Sequence, residues 1–175
     1  MGATGTSILT YCISFLRKLL FYAIGTSAQS MTAVDLNGDT ILDLAVMNQG
    51  GNTVSVFLNT GSGTFAAKVN YATGTTPRFL TAVDLNADGK PDLAVASGIG
   101  VSVLLNNGDG TFAPKVDYAT GSLPNSVAAV DLDGDGLPDL AVTNNSSNTV
   151  SVLLNTGNGI FAPNVDYSAL PAISV

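Results

Sequence analysis

Val130-Asp131-Leu132-Asp133-Gly134-Asp135-Gly136-Leu137-Pro138-Asp139-Leu140-Ala141-Val142 is the last of three copies of one stretch. The earlier two are Val34-Asp35-Leu36-Asn37-Gly38-Asp39-Thr40-Ile41-Leu42-Asp43-Leu44-Ala45-Val46 and Val83-Asp84-Leu85-Asn86-Ala87-Asp88-Gly89-Lys90-Pro91-Asp92-Leu93-Ala94-Val95. They align without a gap, and their first aspartates lie 49 and then 47 residues apart. Tyr22, Tyr71 and Tyr118 each stand 13 residues before a first aspartate, and Tyr167 would open a further copy. A period of this size marks a repeat architecture. The chain therefore divides into a divergent segment (1–21), repeat 1 (22–70), repeat 2 (71–117), repeat 3 (118–166) and the start of a fourth repeat (167–175). Repeat 2 is shorter between Val95 and Val101, at Ser97-Gly98-Ile99-Gly100.

Each copy predicts four short strands. In repeat 3 the first covers Ser126 to Val130, the second Leu140 to Val142 and the third Thr149 to Leu154. The fourth runs from Phe161 towards Tyr167. The third is rich in β-branched residues in partial alternation. The turns Asn59-Thr60-Gly61-Ser62-Gly63, Asn106-Asn107-Gly108-Asp109-Gly110 and Asn155-Thr156-Gly157-Asn158-Gly159 carry the Asn and Gly that positive φ favours. Four-stranded units at this period predict an all-β chain, a partial β-propeller of about three four-stranded blades with a stub of a fourth.

Composition narrows the function. Hydrophobic residues make up 46% and charged residues 11%, so a buried core is expected. The net charge is −7 with six Lys and Arg, which gives no electrostatic footprint for nucleic acid. All 13 acids are Asp, and ten of them fall in the three repeated loops. Charge so localised points to cation sites. The absence of His removes the commonest general base and the commonest zinc ligand. Cys12 is the single cysteine, which rules out an internal disulfide, and it reads as a small apolar residue.

The loops read Asp-x-Asn/Asp-x-Asp-x-x-x-Asp. A calcium ion takes roughly six to eight oxygen ligands at roughly 2.3–2.6 Å. Side chains at positions 1, 3, 5 and 9 would supply Asp35, Asn37, Asp39 and Asp43; Asp84, Asn86, Asp88 and Asp92; and Asp131, Asp133, Asp135 and Asp139. Position 7 would supply a backbone carbonyl, from Ile41, Lys90 or Leu137, so its side chain is free to vary. Up to three Ca2+ ions are expected. Two carboxylates about 4 Å apart repel by about 4 kcal/mol at an effective dielectric near ~20, and a cation turns that repulsion into attraction. Glycine at positions 4 and 6 permits positive φ. Repeat 3 has both glycines and four aspartates, so it should bind best. Repeat 1 has Thr40 at position 6, repeat 2 has Ala87 at position 4, and Lys90 dilutes the charge of repeat 2. An EF-hand needs a Glu at position 12, where these loops have Val46, Val95 and Val142. The plain alternative is that Asp, Asn and Gly only build polar turns.

Phe65, Phe112 and Phe161 read as core, and Tyr71, Tyr118 and Tyr167 as packing residues at blade edges. Asp117 and Asp166 share a repeat position with Asn70 and look structural. Residues 1–21 allow two readings. One is a decayed blade strand, favoured because Tyr22-Ala23-Ile24-Gly25-Thr26 already matches the repeat. The other is a signal peptide with Arg17-Lys18 as its basic region and Ala28 ending a cleavage site. Arg17-Lys18 interrupts the apolar run, so no transmembrane helix is expected.

With these motifs laid out, the chain resembles the FG-GAP/VCBS family, the repeats of integrin-α-type β-propellers. The resemblance runs from Tyr22 to about Tyr167 and rests on residues 130–142, on Ser151-Val152-Leu153-Leu154-Asn155 and on Gly159-Ile160-Phe161-Ala162-Pro163. It implies that the Asp loop joins the first two strands of a blade and binds calcium through the side-chain ligands named above. It also implies an extracellular or cell-surface setting and a role in adhesion or ligand recognition, with a protein or glycan as ligand. A closed propeller of the family has about seven blades. An arc of three leaves open edges, so a fragment with blades missing from a larger chain, self-association into a ring, and an open array all remain open. Leu42 stands where the other loops have Pro91 and Pro138, which predicts a looser first loop.

The expected function is a calcium-binding, non-enzymatic interaction module. A lectin-like carbohydrate binder and an accessory domain of a larger secreted enzyme are the alternatives. Asp109, Asp117 and Asp166 are the acids outside the loops, and they fall at widely spaced repeat positions. Without His or Glu they make a poor catalytic set.

Overall fold

The computed structural model describes residues 21–168. Cys12, both readings of the first segment and most of the fourth-repeat start lie outside the described residues.

The strands form three four-stranded antiparallel sheets in simple meander order. Blade 1 comprises β1 (Ala28–Val34), β2 (Asp43–Asn48), β3 (Thr53–Phe57) and β4 (Val69–Ala72). Blade 2 comprises β5 (Phe79–Val83), β6 (Asp92–Ser97), β7 (Gly100–Leu104) and β8 (Val116–Tyr118). Blade 3 comprises β9 (Pro124–Val130), β10 (Asp139–Asn144), β11 (Thr149–Leu153) and β12 (Val165–Ser168). Three blades of a β-propeller are thus present, as the repeat predicts. The tyrosines that begin the sequence repeats end the outer strands of the blades: Tyr71 pairs with Val54, Tyr118 with Val101 and Tyr167 with Val150. The repeat boundaries therefore fall inside the outer strands, one or two residues before their ends.

Side chains on a strand alternate between faces, and β6 is buried along its whole length. Leu93 and Val95 face blade 1, where they pack with Leu36, Ala45, Met47, Val54 and Val56. Ala94 and Ala96 face blade 3 and pack with Val127, Leu140, Val142 and Leu153. A strand buried on both faces has no polar side to show, so Leu93-Ala94-Val95-Ala96 reads as one apolar run. The core therefore lies between blades, in two layers. The outer strands β4, β8 and β12 are largely exposed.

Tyrosine of one blade stacks edge-on against phenylalanine of the next. Ring centroids are 5.2 Å apart for Tyr71 and Phe112 and 5.3 Å for Tyr118 and Phe161. Tyr22 meets Phe65 in the same way at 5.4 Å, and its hydroxyl accepts Phe65 N–H at 2.8 Å. Phe112 and Phe161 are core, while Phe65 is half-buried and Tyr167 is exposed. Asn70, Asp117 and Asp166 do share one structural task. Each accepts a hydrogen bond from a serine hydroxyl of its own blade, Ser55, Ser102 or Ser151, at 2.7, 2.6 and 2.5 Å. The shorter connection in repeat 2 is a two-residue turn, with Ser97 paired to Gly100. No helix among the described residues is long and apolar enough to cross a membrane.

Candidate metal-binding loops

The three Asp loops join the first and second strands of each blade, β1–β2, β5–β6 and β9–β10. The aspartate at position 1 organises each turn by accepting backbone N–H groups. Asp131 Oδ1 accepts Gly134 N–H at 2.7 Å and its Oδ2 accepts Gly136 N–H at 2.9 Å. Asp35 does the same for Gly38 and Thr40, each at 2.7 Å, and Asp84 for Asp88 and Gly89 at 3.1 and 2.7 Å. Position 3 accepts the N–H of position 5: Asn37 from Asp39, Asn86 from Asp88 and Asp133 from Asp135, each at 3.1 Å. Position 5 accepts the N–H of position 7: Asp39 from Ile41 at 2.8 Å, Asp88 from Lys90 at 3.0 Å and Asp135 from Leu137 at 2.8 Å.

This bonding folds all three loops alike, and positive φ falls at positions 4 and 6 in each. At position 4, Gly38, Ala87 and Gly134 have φ of 79°, 61° and 85°. At position 6, Thr40, Gly89 and Gly136 have φ of 70°, 81° and 88°. Thr40 and Ala87 adopt a conformation that costs an L-residue about 1–2 kcal/mol. The hydrogen bonds of the loop therefore outweigh the intrinsic preference of these two residues.

Position 9 has a second job that the sequence did not disclose. Asp43, Asp92 and Asp139 are completely buried. In each, Oδ2 accepts the N–H of position 2, from Leu36, Leu85 and Leu132 at 2.9, 2.9 and 2.8 Å. Oδ1 accepts the N–H of the hairpin-turn asparagine, from Asn59, Asn106 and Asn155, each at 2.7 Å. These aspartates tie the loop to the end of the third strand. Leu42 in place of proline does not loosen the first loop, because both bonds keep the same lengths there.

The turn asparagines serve a different purpose from the turn glycines. Positive φ in the hairpin turns belongs to Gly61, Gly63, Gly108, Gly110, Gly157, Gly159 and Asn158, not to Asn59, Asn106 or Asn155. Instead Asn106 Nδ2 donates across the blade boundary to Leu36 O at 2.9 Å, and Asn155 Nδ2 to Leu85 O at 2.7 Å. The signal available in the sequence was their recurrence at one repeat position.

Loop 3 brings together the strongest acidic set. Asp131, Asp133 and Asp139 each place a carboxylate oxygen within 4.8 Å of the others, the one such group of three among the described residues. Asp135 stands outside that trio. Loops 1 and 2 carry Asn37 and Asn86 in place of Asp133, so they offer amide oxygen there. In loop 2, Lys90 Nζ lies 3.7 Å from Asp88 and donates to Asn107 O at 3.3 Å. Burial pushes the Asp92 carboxyl above the ordinary carboxylate range; amides of Asn106 and Leu85 oppose this, and the charges of Asp88 and Asp84 add to it. Desolvation also acts to raise Asp35, but the N–H groups of Thr40, Gly38, Asn37 and Asp39 together hold it below that range. An all-oxygen donor set with clustered carboxylates fits a hard cation such as calcium.

The model of the FG-GAP-like repeat matches three overlapping stretches, residues 35–95, 84–142 and 131–174. No curated protein matches the chain. Among solved structures, an Agrocybe aegerita lectin that recognises non-reducing terminal N-acetylglucosamine is 27% identical with a TM-score of 0.55, over 78% of this chain and 37% of the lectin. The Photorhabdus luminescens Tc holotoxin pore is 23% identical with a TM-score of 0.49, over 83% of this chain and 7% of the pore chain. The chain thus spans well under half the length of either.

Proposed function

The chain belongs to the FG-GAP-like repeat family, and from that membership we propose that it is a calcium-stabilised, non-enzymatic interaction module working outside the cell or at its surface. The Asp131–Asp133–Asp139 trio carries this reading. Repeats of this family commonly bind calcium, and three carboxylates so close gain stability from a divalent cation. Asp131, Asp133 and Asp139 would hold the ion in loop 3, with Asp135 and the Leu137 carbonyl completing the shell. Loops 1 and 2 would hold weaker ions through Asp35, Asn37, Asp39 and Asp43 and through Asp84, Asn86, Asp88 and Asp92. The ion stiffens one end of each blade and so fixes the surface that a ligand meets.

The acids outside the loops favour the non-enzymatic reading. Asp109 accepts from Thr111, Asp117 from Ser102 and Lys115, and Asp166 from Ser151 and Asn164. Each is engaged in local structure. Calorimetric titration of the chain with calcium tests the proposal. Saturable binding that Asp133→Ala weakens is expected, and the absence of binding contradicts it.

The likeness to a lectin supports carbohydrate recognition as a second reading. A cavity of about 240 Å³ between blades 2 and 3 is lined by Asp117, Tyr118, Phe161 and Asn164, among others. Its two aromatic rings pack edge to face against each other. A glycan array decides: signal lost on Tyr118→Ala supports a sugar ligand, and a blank array removes it.

A further inference from the structure

One hydrogen-bond chain threads all three loops. Asp43 holds Leu36 N–H, and Leu36 O accepts Asn106 Nδ2 from blade 2. Asn106 N–H donates to Asp92, which also holds Leu85 N–H. Leu85 O accepts Asn155 Nδ2 from blade 3, and Asn155 N–H donates to Asp139, which holds Leu132 N–H. The joints are buried: Leu36, Leu85, Asn106 and Asn155 are 1%, 0%, 4% and 3% exposed.

The chain passes through the ligand positions themselves. Leu36 lies between Asp35 and Asn37, and Leu85 between Asp84 and Asn86. The carbonyl gripped by the next blade belongs to the peptide that joins position 2 to position 3. An ion that draws positions 1 and 3 together fixes that peptide. The asparagine amide from the next blade fixes the same peptide from the other side. Its own backbone N–H is held by the position-9 aspartate of the next loop. We propose that Asn106 and Asn155 are positioning residues that couple the three loops, so that an ion seated in one loop raises the calcium affinity of its neighbour. The inference rests on the calcium reading above. Buried hydrogen bonds in a low-dielectric core transmit such ordering, and the coupling must be reciprocal.

The test is a calcium titration of the full chain followed by amide NMR, with Gly38, Gly89 and Gly136 reporting loops 1, 2 and 3. Loop 3 is emptied by Asp133→Ala with Asp135→Ala, two exposed side chains. The expected result is a calcium affinity at Gly89 lower by about fivefold. Asn155→Ala should weaken loop 2 to a similar degree, and combining the two changes should do no more than either. Asn59→Ala is the matched control, since Asn59 Nδ2 donates to Leu42 O within its own blade; it should leave Gly89 unmoved. The emptied-loop arm leaves the clasp intact, so it stands even if Asn155→Ala fails to fold. Unchanged affinity at Gly89 after loop 3 is emptied overturns the coupling alone. No calcium shift at any of the three glycines overturns the calcium reading and the coupling with it. In the ion-free protein, Asn155→Ala should also speed hydrogen exchange at Leu85 N–H. Unchanged exchange there overturns the relay whatever calcium does.

Discussion

Loop 3 (131–139) has glycine at both positive-φ positions and aspartate at positions 1, 3, 5 and 9. Loop 2 (84–92) forces Ala87 to φ 61°, has Asn86 at position 3 and sets the Lys90 ammonium 3.7 Å from Asp88. Yet the two turns are bonded nearly alike. Asp84 accepts the amides of positions 5 and 6 and Asp131 those of positions 4 and 6, while Asp92 and Asp139 pin position 2 to the hairpin turn. The comparison separates two properties that one motif carries. All four acidic or amide positions accept loop N–H groups and shape the turn, and positions 1 and 9 do so identically in charge in both loops. Among the ligand positions the loops differ at 3 and 7, which in the proposed calcium reading would set how strongly the shared shape holds a cation.

The largest expected effect breaks the shape itself. Asp92→Ala leaves Leu85 N–H and Asn106 N–H buried without an acceptor, at a cost of about 3 kcal/mol or more. Urea unfolding should show that loss with calcium and with chelator alike. A loss confined to calcium buffer would mean that Asp92 serves only the ion. Next comes Asp135→Ala, which should cut the calcium-induced stabilisation and leave chelated protein nearly unchanged. A site filled at a hundredfold excess over its Kd contributes about 2.7 kcal/mol, so differential melts can resolve it. Lys90→Leu gives loop 2 the position-7 side chain of loop 3 and removes a competing cation. Calorimetry should find loop 2 tighter by roughly threefold, the modest scale of an exposed ion pair. An effect of similar size tests the backbone. Ala87→Gly relieves the left-handed strain but adds chain entropy, for a net gain of about 0.5–1 kcal/mol in chelator. Gly134→Ala in loop 3 should lose a similar amount.

Much of the fold was legible because the repeat announces it. Period and turn glycines specify four-stranded blades, but not that β6 is buried on both faces between the other two blades. The recurrence of Asp or Asn at positions 1, 3, 5 and 9 could be read from spacing alone. The burial of Asp43, Asp92 and Asp139 could not, because a carboxylate that caps buried amides looks the same in sequence as one that awaits an ion. Nor could the roles of Asn106 and Asn155, whose acceptors lie 70 residues away. Thr40 and Ala87 stand at positive φ because neighbouring bonds impose it, against their own preference.

Thermal unfolding in calcium, in magnesium and after chelation tests the central claim most directly. Calcium should raise the melting temperature, chelation should lower it, and magnesium should substitute poorly because it prefers to keep its waters. A cooperative melt indifferent to calcium would contradict the account and leave the loops as polar turns that hold the blades together on their own.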